Sequence, residues 1–159
     1  ATTEIYTLSL HDALPILWSA NLYLSMSFYL KKEGFSGMAN WMRKQSAKEV
    51  GHACTIAEYM VKREATPKVD KVDVVPQGWG NSLEVFEHAL EHEKHISKLI
   101  DELVYLASEE KDNATQDFLW KFVREQIEEE AGVQNIVNLL KKAGDSGILF
   151  IDAKLDGCK

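Results

Sequence analysis

The chain has 159 residues, a net charge of −7, 45% hydrophobic residues and only three prolines. That length fits one domain, and the hydrophobic content excludes a disordered chain. The acidic balance excludes nucleic acid as the main partner, and no apolar run reaches the ~18 residues of a membrane span.

Residues 1–16 read ATTEIYTLSLHDALPI. Over this whole stretch the string looks like the conceptual translation of a common short-read sequencing adapter. The resemblance implies a non-native N-terminus, a domain over residues 17–156 and a tail over 157–159. No basic region precedes an apolar stretch, so there is no signal-peptide pattern. Cys54 and Cys158 match no zinc or redox spacing, which fits free thiols in a reducing cytoplasm.

Helical periodicity begins near Asp12, where an aspartate cap would leave Pro15 in the first turn, a position needing no N–H. This first helix ends at Gly34. The spacing predicts a second helix over about 36–63 and a third over 82–111 with Ser82 as its cap. A fourth follows over 113–143, closed by Gly144, and then a short apolar fifth helix over 147–155. The connection between the second and third helices has about 18 residues, and at ~3.3 Å per residue it can run the length of a bundle. Two hairpins joined by one long crossover define an all-α, ferritin-like four-helix bundle. The apolar fifth segment, Ile148 to Ile151, has no bundle face left and marks a subunit contact.

Each apolar stripe is interrupted by an acid. The second helix reads Met42, Gln45, Glu49, His52, Ile56, Tyr59. The third reads Phe86, Ala89, Glu93, Ile96, and the fourth reads Leu119, Phe122, Gln126, Glu129, Val133. Spacings of three and four put these side chains on one face. Glu49, Glu93 and Glu129 therefore stand where leucines would. Burying one unpaired carboxylate costs several kcal/mol, so three together call for compensating cations. Glu49 and His52 form a Glu-x-x-His pair as found in di-iron carboxylate bundles, and oxygen with imidazole ligands suits iron or manganese.

The segments LWSANLYLSMSFYL, EGFSGMANWMRKQSAKEVGHA, VDVVPQGW, ATQDFLWKFVREQIEEE and KAGDSGILFIDAKL resemble the bacterial non-haem ferritins over residues 17–156. The resemblance implies a cytoplasmic homo-oligomeric shell of 24 subunits. It also implies a ferroxidase that oxidises Fe(II) with dioxygen at an intra-subunit di-iron centre, and a stored ferric mineral. By the family motif, Glu49 and His52 hold the first iron, with Glu49 bridging. Glu93 and Glu129 hold the second, with Gln126 close by and Tyr23 beside the centre. Glu125 and Glu128 match a third-site pair, but Lys48 stands where that site usually has a glutamate. The family also places a glutamate ligand seven residues before Tyr23, where this chain has Ile16. A structural shell with impaired oxidation is the rival reading that Ile16 raises. A haem-binding bacterioferritin would carry a second Glu-x-x-His and a methionine where Val50 stands, so no haem is expected. The DNA-coating mini-ferritins lack the fifth helix.

His88, His92 and His95 read as exposed histidines on a solvated face. Trp41, Trp79 and Trp120 read as core or subunit contacts.

Overall fold

The computed structural model describes the backbone of residues 2–157 and the side chains of residues 16–157. Its elements are α1 (Thr2–Lys32), α2 (Ser36–Lys62), α3 (Ser82–Glu109) and α4 (Asn113–Asp156). No helix among the described residues is long and apolar enough to cross a membrane. The first helix begins ten residues before the expected Asp12 and carries Pro15 in its interior. The proline withholds one helix hydrogen bond there. The leucines and alanine around it are good helix formers and continue the helix across the gap.

The turns follow from local chemistry. Gly34, at φ +93°, ends α1, and the Phe35 amide donates back to the Leu30 carbonyl at 2.9 Å. Asn81, rather than the expected Ser82, caps α3. Its side chain accepts from the Glu84 amide, and the Glu84 carboxylate accepts from the Asn81 amide, a reciprocal capping box. Asp112 caps α4 through the Thr115 amide at 3.0 Å.

The helices form a square in which α1 neighbours α2 and α3, and α4 neighbours α2 and α3. The crossover between α2 and α3 lies along α1. Val74 O accepts from the Trp18 indole, Pro76 O from the Ser25 hydroxyl, and the Trp79 and Gly80 carbonyls from the Tyr29 hydroxyl. Both partners advance together, so the crossover runs parallel to α1 and returns the chain to the end where α2 began. This is the long-crossover topology that the loop lengths predict.

The expected fifth helix is continuous with α4 by hydrogen bonding, but Gly144 breaks its course with φ 59° and ψ −177°. The segment after the break folds onto α2. Asp152 Oδ1 accepts from the Met38 amide at 2.8 Å and supplies the N-terminal cap that Phe35 cannot. Asp156 accepts from Asn40 at 2.7 Å. Ile151 is buried in the main core, while Leu149 and Phe150 are exposed. The expectation that no bundle face buries this segment is therefore corrected for Ile151 and for Ile148, which packs against the same core, and holds for Leu149 and Phe150. Gly37 makes the approach possible: a Cβ there would lie 1.8 Å from the Asp152 carbonyl oxygen.

The core is in two parts. A large cluster built on Tyr23, Met26, Met38, Met42, Phe86, Val133 and Ile136 fills one end. A smaller one, Val104, Ala107 and Leu119, lies toward the other. The polar belt sits between them.

Candidate metal centre

Four helices contribute to the belt. Tyr23 of α1 is fully buried, and Glu49 of α2, Glu93 of α3, and Gln126 and Glu129 of α4 are each less than 9% exposed. The predicted acids and the predicted tyrosine thus meet at one level of the bundle. Ile16 stands three, four and seven residues before the buried Ser19, Ala20 and Tyr23, so it shares their face and is itself half-buried.

Protein donors satisfy the carboxylates. Tyr23 donates its hydroxyl to Glu93 Oε1. The Gln126 amide donates to Glu93 Oε2 at 3.0 Å and lies within reach of Ser97 Oγ. Gln45 donates to Glu129 Oε2 at 2.9 Å, and the Lys48 ammonium pairs with Glu129 Oε1. His52 stands between two acids, with Nδ1 3.5 Å from Glu49 and Nε2 3.1 Å from Glu125. Glu130 takes a hydrogen bond from Ser97 at the edge of the belt. Glu128 is exposed and turned to solvent. With these donors in place, no three acid, imidazole or thiol groups among the described residues converge tightly enough to chelate one ion.

Burial decides the electrostatics. It raises the Glu93 carboxyl above its ordinary value, although the Tyr23 and Gln126 hydrogen bonds pull the other way. It raises the Tyr23 hydroxyl well above its ordinary value, with the Glu93 charge adding to the effect. His52 is raised mainly by its hydrogen bond to Glu49. A divalent ion bound here would act against these shifts, favouring the deprotonated forms of Glu93 and His52. The donor set of carboxylate oxygens, an imidazole and an amide fits a ferrous ion. Lys48 and Ile16 do not add to that fit.

His92 corrects the reading of the histidine row. His88 and His95 are exposed, but His92 turns inward. Its Nε2 lies 2.7 Å from Ser19 Oγ, and its ring packs on Trp18 and Tyr23. Burial, with a smaller effect of His95, lowers it to about 4. The spacing from His92 to Glu93 could not show this, since adjacent helical residues point about 100° apart. Trp41 and Trp79 pack against the core as expected, while Trp120 is 42% exposed.

A family model for the ferritin-like domain matches residues 15–143. The chain belongs to the ferritin family. It is 65% identical over 139 residues to the bacterial non-heme ferritin of Bacteroides fragilis, covering 87% of each chain. It is 34% identical to that of Campylobacter jejuni, covering 82% of this chain and 78% of the relative. The fold superposes on an open pore ferritin from the archaeon Archaeoglobus fulgidus with a TM-score of 0.96, 37% identity and 98% coverage of both chains. The bundle fold of this ferritin-family chain, with its long crossover, is thus shared with a solved structure at well above chance identity.

Proposed function

We propose that this chain stores iron, and that each bundle oxidises Fe(II) to Fe(III) with dioxygen at a paired site in the polar belt. One observation carries the reading: three glutamates on three helices, each under 9% exposed, stand at one level between two apolar clusters. Such burial is unfavourable without cations.

Two ferrous ions are the substrate. Glu49 stands 3.5 Å from His52, and its charge also reaches Glu93 and Tyr23. His52 must shed its proton to act as a ligand, and its place between Glu49 and Glu125 gives that proton a nearby acceptor. Tyr23 and Gln126 orient Glu93 from opposite oxygens. The dry apolar clusters at either end keep bulk water from the ions. Dioxygen takes one electron from each ion and, with two protons, leaves as hydrogen peroxide, while the ferric product hydrolyses and moves to the store. Glu125, partly exposed, pairs with His52, while Glu128 faces solvent. The same reading places the chain in the cytoplasm as a shell of 24 copies without haem, the exposed Leu149 and Phe150 forming part of a contact between copies.

The test is the initial rate of ferric absorbance at two Fe(II) per subunit, for the parent and for Glu93→Ala. Loss of a direct ligand should slow it by roughly 100-fold. Equal rates would remove the belt from the reaction.

A further inference from the structure

Glu129 differs from the other acids of the belt in having a lysine ammonium as a partner. Glu93 is held by a phenol and an amide, both neutral. Glu49 and Glu125 share one imidazole. Glu129 has both oxygens taken, one by the Gln45 amide and the other by the Lys48 ammonium. Lys48 reaches it from the position beside Glu49, on the next helix of the square. The carboxylate is 8% exposed and the lysine 45% exposed, so the charge comes in from the surface to a buried acid.

From this geometry we infer that Lys48 is a built-in counter-cation of the metal-free centre, and that a divalent ion gains Glu129 only by displacing it. The inference rests on the proposed iron site and names a control on it. A charge-assisted hydrogen bond to a buried carboxylate is stronger than a neutral one. A hydrated divalent ion arriving at Glu129 must break that bond before it forms its own. Lys48 therefore does two opposed things: it stabilises the empty bundle and weakens the metal. The two effects are one coupling free energy seen from either side. Released, the ammonium returns to solvent without moving the backbone, since its long stem is already half outside. The exchange also leaves the ion's double charge facing Glu49, Glu93 and Glu129 without a neighbouring ammonium.

The test uses Co(II), which is not oxidised by air at such a site, so binding is read without turnover. Full-length assembled protein is titrated by absorbance for the parent, Lys48→Gln, Lys48→Arg and Glu129→Ala. Lys48→Gln should bind Co(II) roughly tenfold more tightly, a charge-assisted bond discounted for the exposure of its lysine. Lys48→Arg keeps the charge and should stay within about twofold of the parent. Melting gives the second readout: Lys48→Gln should melt below the parent when metal-free and level with it when Co(II)-loaded. A lysine with a merely structural role would lower both melts equally and leave affinity unchanged, and that result overturns the inference while the iron site stands. Tightening by Lys48→Arg as large as that by Lys48→Gln would overturn it as well. If Glu129→Ala binds Co(II) as the parent does, Glu129 is no ligand; both the iron-site reading and the inference then fall.

Discussion

His92 gives the most quantitative consequence of the fold. An imidazole ordinarily titrates at 6.5, and here burial against Trp18 and Tyr23 lowers it to about 4. The folded chain thus favours the neutral ring, and its stabilising contribution is complete above 6.5 and lost as pH falls toward 4. Proton linkage converts this into about 2 kcal/mol lost from the folded state between pH 7 and pH 5. Two other groups shift the stability with pH in the opposite sense. Glu93, raised by burial, and His52, raised by Glu49, both stabilise the fold more as pH falls. The comparison must therefore be with His92→Asn, which keeps a polar partner for Ser19 but cannot titrate. Urea unfolding of metal-free protein, at one protein concentration, is followed by far-ultraviolet circular dichroism. The variant should show a constant packing deficit at neutral pH, and that deficit should shrink by about 2 kcal/mol on going to pH 5. A deficit that stays the same at both pH values would show that His92 is solvated or remains hydrogen-bonded as the cation.

Three further outcomes follow from the belt and its surroundings. Ile16→Glu adds a carboxylate to the face that carries Tyr23, and should speed oxidation of the first two irons per subunit at least tenfold; because Pro15 precedes it inside α1, Pro15→Ala with Ile16→Glu is the control, and stopped-flow rates equal to the parent in both would refute the placement. Glu93 is raised by burial, so the metal-free fold loses its contribution as pH rises from the ordinary carboxylate range through the folded value. Glu93→Gln escapes that loss and should melt above the parent at neutral pH but not in acid; a lower melt at both would contradict it. Gly37→Ala drives a methyl into the Asp152 carbonyl, should cost roughly 1–3 kcal/mol, and should speed hydrogen exchange at the Met38 amide by freeing it from Asp152; unchanged exchange would refute the close contact.

Most of the fold was legible because the patterns that specify it are local. The limits of α2 and α3 and the start of α4 agree with the sequence reading to within a residue or two, Gly144 marks the break in α4 where a fourth and a fifth helix were expected, and the crossover length alone selects the topology. The acids were legible because Glu49, Glu93 and Glu129 interrupt otherwise apolar stripes. What the sequence hid are the contacts between distant segments. Nothing in the residues around Ser36 shows that Asp152 caps α2 from 114 positions away. The Lys48 and Glu129 pairing joins a residue beside one stripe to a residue on another. His92 was hidden by its neighbours: a row of three histidines suggests one exposed face, yet only the middle one turns toward Ser19. The start of α1 was misplaced because an aspartate before a proline resembles a cap, whereas the leucines upstream continue the helix.

The central claim is that the buried belt is where ferrous ions bind. Crystals soaked anaerobically in Fe(II), with diffraction recorded on both sides of the iron absorption edge, test it most directly. Anomalous density is expected between Glu49, His52, Glu93 and Glu129, with the Lys48 ammonium swung away from Glu129. Iron found only on outer or cavity surfaces, with Glu129 still paired to Lys48, would contradict it.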